Sequence, residues 1–176
     1  MTSFFSTLTG LGLGTRYLIV FIVSMIPLIE LRGAIPIAAV MGLTDTLPHT
    51  VMVFIVAIIG NMIPVPFIYL FARRVLEWGK DKPVIGGFFT FCLEKGEKGG
   101  RKLQEKAGRG LFVALALFVG IPLPGTGAWT GTLAASILDM EFKETVIAAM
   151  VGVLLAGVIM MTLSLAGVSA FGVIAG

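Results

Sequence analysis

The polar and apolar positions along the chain alternate between long apolar runs and short interruptions, and the interruptions recur. Residues 17–42 are apolar except for Glu30 and Arg32, and Pro27, Gly33 and Pro36 break the run. Residues 49–72 form an apolar run closed by Arg73 and Arg74, with Asn61, Pro64 and Pro66 inside it. Residues 111–138 repeat the first pattern, with Pro122-Leu123-Pro124-Gly125-Thr126-Gly127 in the middle. Residues 145–172 repeat the second. Ile26-Pro27-Leu28 and Ile121-Pro122-Leu123 lie 95 positions apart.

A run of 26 residues is long enough to cross a bilayer core of about 30 Å as one helix. Proline, however, removes a backbone donor and clashes with the preceding turn. A helix broken by Pro27 and Pro36 around two charges fits a hairpin better: helix 17–26, a turn through Glu30, helix 35–42. Non-helical backbone at membrane depth is tolerated where protein or a wet cavity covers it. The pattern therefore predicts an all-α integral membrane protein. It has two inverted repeats, each a proline-broken re-entrant hairpin followed by a transmembrane helix. One membrane domain covers 1–176: repeat 1 over about 16–74, a basic insert over about 75–109, repeat 2 over about 110–172. Residues 2–14 read as an interfacial helix. Within the insert, 83–89 reads as an interfacial patch and 94–104 as a surface helix. If 17–42 and 111–138 cross fully instead, the chain makes four crossings with both termini inside.

Composition agrees with this class. Apolar residues make up 57% of the chain, charged residues 13%, and the mean hydropathy is +1.01. No soluble domain of this size covers so much apolar surface. Of 13 Lys and Arg, 10 lie between Arg73 and Arg109, beside five acids. Basic loops stay in the cytoplasm, and such a loop also attracts anionic lipid headgroups. Its basic core has no interleaved aromatics, which argues against a nucleic-acid partner. The stretch before Arg16 has no basic residue, unlike a secretory signal.

The chain has one Cys (Cys92) and one His (His49), so the usual metal and haem clusters are not expected, nor is a cofactor. No nucleophile–base pair points to an enzyme. Glu30 is the leading chemical candidate, because an ionisable side chain at membrane depth costs about 2.5–3.5 kcal/mol and marks a functional site by default. Glu30 reads as a proton or cation carrier paired with Arg32, or as half of a structural ion pair. Arg32 reads as its partner or as a holder of an anionic group. In an extended turn, residues two apart share a side, so the pairing favours non-helical backbone there.

The second turn offers Gly125 and Gly127, free of the Cβ restriction, and the hydroxyl of Thr126. A helix starting near Ala128 directs free N–H groups at an anion or at Glu30. Pro122, Pro124, Gly125, Thr126, Gly127, Trp129 and Asn61 are thus the candidate substrate-binding residues, and Pro27, Gly33 and Pro36 the hairpin-turn residues. Each has a plainer reading: shape for the Gly and Pro residues, membrane anchoring for Trp129, and bonding of carbonyls freed by Pro64 for Asn61. His49 reads as an exposed interface residue and Asp139 as a boundary charge. Ala148, Gly152 and Ala156 form a small-residue stripe suited to close helix contact.

Glu30-Leu31-Arg32-Gly33-Ala34-Ile35-Pro36 and Ile121-Pro122-Leu123-Pro124-Gly125-Thr126-Gly127-Ala128-Trp129 resemble the signatures of the putative small multidrug export protein family. That family is more distantly similar to the DedA and VTT-domain membrane proteins. The resemblance implies two re-entrant hairpins packed as an inverted repeat, with proton-coupled transport or lipid translocation. The resulting expectation is a small secondary transporter, homodimeric, in a bacterial or archaeal plasma membrane. It would exchange a proton or cation for an unknown small-molecule or lipid substrate. The alternatives are a lipid scramblase or polyprenyl-phosphate flippase, and a structural membrane protein without transport.

Overall fold

Helix-forming apolar runs separated by proline and glycine produce seven described α-helices in the computed structural model. It describes residues 10–82, 87, 90, 110–123 and 125–175. They are α1 (Leu13–Met25), α2 (Glu30–Val40), α3 (Leu47–Met62), α4 (Pro64–Lys80), α5 (Gly110–Gly120), α6 (Ala128–Ile137) and α7 (Phe142–Ala175). The regions 2–9, 83–86 and 91–109, which hold most of the expected interfacial and surface helices and Cys92, lie outside the described residues.

Among the described residues, two helical stretches are long and apolar enough to cross a membrane: Leu47–Lys80, which joins α3 to α4, and Phe142–Gly167 of α7. Helices α3 and α4 meet at Ile63, which keeps helical angles and donates to the Ile59 carbonyl at 3.1 Å. Pro64 and Pro66 lie in the first turn of α4, where proline is tolerated. The helix therefore continues past Arg73 and Arg74 to Lys80, beyond the boundary that those charges predicted.

The other four helices have 13, 11, 11 and 10 residues. At 1.5 Å per residue the longest is about 20 Å, too short to cross alone. In each half the chain doubles back. Arg16, at the start of α1, donates to the carbonyl of Met41, just past the end of α2, at 2.8 Å. Leu111 near the start of α5 and Leu138 and Met140 past the end of α6 line one small cavity.

The two halves share local detail. The burial pattern of α2 (Leu31, Ala34, Ile35, Ala38, Ala39) recurs on α6 as Ala128, Gly131, Thr132, Ala135 and Ser136. Both helices end in the same left-handed cap. Leu43 N–H donates to Ala38 O and Gly42 N–H to Ala39 O, matched by Met140 to Ala135 and Asp139 to Ser136. Gly42 has φ 69° and Asp139 φ 55°, so Asp139 has a conformational role beyond that of a boundary charge. Both following residues, Leu43 and Met140, are buried. Gly60 of α3 abuts Ser24 and the Phe21 carbonyl of α1, and Gly152 of α7 abuts Val119 and the Ala116 carbonyl of α5. The stripe Ala148, Gly152, Ala156 is buried within the chain, with Gly152 against α5, so it is not a free partner face.

The first break differs from its expected form. Glu30 is the first residue of α2, and Gly33 and Pro36 sit inside that helix, leaving Pro27 alone in the break. An interior proline costs about 3 kcal/mol. Burial of Leu31, Ala34, Ile35, Ala38 and Ala39 on one face of α2 offsets this. The reversal is made by Leu28 (φ 68°) and Glu30 (φ 52°), both left-handed without being glycine.

Candidate functional site

Breaking an apolar run leaves helix ends with orphan backbone groups: carbonyls at the end of α5 and N–H groups at the start of α6. The segment 121–127 exposes both within a few residues. Thr126 satisfies part of the need by donating its hydroxyl to the carbonyls of Ile121 and Leu123, each at 2.9 Å. Glu30 and Arg32 satisfy most of the rest from the other half of the chain.

The Glu30 carboxylate accepts the N–H of Ala128 at 3.2 Å and that of Trp129 at 2.9 Å. It is 3% exposed. It lies at the N-terminal end of α6, where the helix dipole favours negative charge. The Arg32 guanidinium donates through Nη1 to Leu123 O and Thr126 O, both at 2.6 Å, and through Nη2 to Val119 O at 3.1 Å and Ile121 O at 3.4 Å. It lies at the C-terminal end of α5, where the dipole favours a cation. The two charges therefore fit opposite ends of one broken helix pair. Their hydrogen bonds run to the second half of the chain, and Glu30 is still near enough for its charge to act on the Arg32 guanidinium. Residues 30 and 32 begin a helix, and positions two apart on a helix do not face one another.

Gly127 permits this docking. Its φ is 143° and a Cβ there would lie 2.5 and 2.7 Å from the two carboxylate oxygens. Gly125 has φ 80° and open space around it, so its need is conformational alone. Pro122 is half-buried and gives up no donor to the turn. Pro124 lies outside the described residues.

Trp129 contributes twice. Its backbone N–H holds Glu30, and its ring lines a pocket of about 420 Å³ with Pro27, Leu28, Ile68, Phe71 and Leu133. Its indole N–H is buried without a partner. Asn61 is 1% exposed and neither amide atom has a hydrogen-bond partner, so it does not bond carbonyls freed by Pro64. His49 is half-buried, and its Nδ1 is 2.6 Å from the Tyr17 hydroxyl.

Tyr69, which the pattern did not single out, ties α4 to the second half. Its hydroxyl donates to Met140 O at 2.5 Å and its carbonyl accepts from Ser136 Oγ at 3.3 Å. A lone tyrosine in an apolar run is the signal that could have found it, since a buried hydroxyl needs a partner.

No curated protein and no solved structure matches the chain. One family model does, over residues 30–159, from the glutamate at the first break to the middle of the last helix: that of the putative small multi-drug export proteins. With most of its length matched, including both broken segments, this chain belongs to that family.

Proposed function

We propose that the protein is a small secondary transporter that exports a small molecule in exchange for a proton or cation. In this reading the two broken segments are re-entrant hairpins, the two halves are inverted repeats, and the chain works as a homodimer in a bacterial or archaeal plasma membrane. Family membership and the two long apolar helices support a membrane export protein. The shortness of the other four helices and the matching caps and glycine contacts support the repeat.

One observation carries the coupling role. A buried carboxylate from one half holds the first free N–H groups of a helix in the other half. Adding a proton removes the charge that the helix end stabilises and turns one acceptor oxygen into a donor. Protonation thus loosens a joint between the halves. A cation competing for the same oxygens does so as well. The coupled group and the moving joint are then one and the same, as an exchanger needs.

The test is proteoliposome efflux of a panel of cationic, neutral and anionic dyes driven by a pH gradient. The expected result is that Glu30→Gln abolishes gradient-driven efflux while the protein stays monodisperse. Wild-type efflux by Glu30→Gln would overturn the proposal.

A second reading is favoured by the near-complete burial of Glu30: the carboxylate is a fixed staple in a membrane protein without transport. It predicts no efflux of any panel member by the wild-type protein, and a large loss of stability in Glu30→Gln.

A further inference from the structure

The pocket beside Trp129 does not end at the broken segments. A second cavity of about 680 Å³ shares Ile68, Phe71 and Trp129 with it and adds Arg74 and Glu77 of α4. With three walls in common, the two form one cleft with an apolar end and a charged end. The apolar end, walled by Pro27, Leu28, Phe71 and Leu133, presents hydrocarbon and no charge. At the charged end Arg74 puts a cation on the wall, and Glu77, three residues on along α4, already has an interaction of its own. Phe71 and Arg74 are three residues apart on α4, hence on one face and about 5 Å apart along the axis.

We infer that this cleft binds a single-chain amphiphile with an anionic head, a carboxylate or phosphate monoester. Its chain lies against Leu28, Phe71 and Leu133, and its head is at Arg74. The volumes are those of ordinary small-molecule sites. The segment 121–127, in contrast, has its orphan groups already taken by Glu30 and Arg32, which leaves a ligand little to bind there. Trp129 joins the two features: its ring walls the cleft and its backbone N–H holds Glu30. A ligand that shifts the ring therefore acts on the carboxylate. The inference names the substrate class of the proposed transporter and rests on that reading for the word substrate; binding itself does not depend on it.

The test uses Trp129 as a reporter. Trp78, exposed and beneath the Lys82 ammonium, is replaced by Phe so that Trp129 is the sole tryptophan. The Trp78→Phe protein in maltoside micelles is titrated with dibromostearate, with dibromostearyl alcohol as the neutral probe and with dibrominated phosphatidylcholine as the bilayer-lipid probe. The expected result is saturable quenching by dibromostearate. Its half-saturating concentration should rise at least tenfold when Val75→Phe or Leu133→Phe fills the apolar end. Arg74→Gln should raise it at least fivefold for the stearate and leave the alcohol unchanged. Leu133 is 44% exposed, so that variant keeps the fold if Val75→Phe does not. Quenching that scales with total bromolipid without saturating, equal quenching by the phosphatidylcholine, or indifference to both filling variants would overturn the inference. Saturable binding by a protein that moves no dye would refute the transport reading and leave the cleft standing.

Discussion

Gly127→Ala is the most informative single change, because it strikes the contact between the halves without removing either charge. The new methyl group would sit 2.5 and 2.7 Å from the Glu30 oxygens, so the carboxylate must withdraw. Withdrawal sacrifices two hydrogen bonds to an ionised group, each contributing about 1.5–3 kcal/mol. The φ of 143° adds backbone strain of about 1 kcal/mol for any residue with a Cβ. Partial relaxation returns some of this, leaving a net loss of about 3–5 kcal/mol. At about 2–4 °C per kcal/mol for a chain of this length, the unfolding midpoint in detergent should fall by about 10 °C. Gly125→Ala is the control: its φ of 80° costs about 1–2 kcal/mol and its Cβ meets nothing. The decisive measurement is a double-mutant cycle with Glu30→Ala, which removes the clashing group. Gly127→Ala should then cost only its backbone strain, giving a coupling of about 2–4 kcal/mol. A coupling within about 0.5 kcal/mol of zero would refute the docking of Glu30 against Gly127.

Arg32→Lys should fail to replace arginine, since an ammonium cannot span the four carbonyls that the guanidinium fork reaches. A loss of about 2 kcal/mol is expected in the same thermal assay, reflecting hydrogen bonds of a charged donor, and wild-type stability would contradict it. Gly60→Ala and Gly152→Ala should each cost about 1–3 kcal/mol by forcing α3 from α1 and α7 from α5. Gly14→Ala, with nothing near its Cβ, should be neutral or slightly stabilising, and equal effects at the three positions would refute the close-contact reading.

The division into broken and continuous apolar runs was legible from the sequence because length and proline act locally. The runs 49–72 and 145–172 became the helical stretches Leu47–Lys80 and Phe142–Ala175, and α6 begins at Ala128, where the glycine-rich turn ends. The first break was read one helix-turn too long. Pro36 counted as a breaker, yet the buried face of α2 overrides it, and the left-handed residues Leu28 and Glu30 carry no glycine to betray the turn. The partners of Glu30 and Arg32 were harder still. They are backbone N–H and carbonyl groups, which every residue carries alike, so the nearest opposite charge in the sequence was the only visible partner. Asn61 drew notice as a polar residue in an apolar helix, but its lack of partners is a property of packing alone.

Every acceptor of the Arg32 guanidinium and both donors to Glu30 lie on the far side of the basic insert from those two residues. Peptide continuity through the insert is therefore not what fastens the molecule together. Two polypeptides made from a gene divided within codons 83–109 would each carry one side of the joint and could find one another in the bilayer. Evolution would then have room to build such a membrane protein from two separately encoded pieces, or to lengthen the stretch between them.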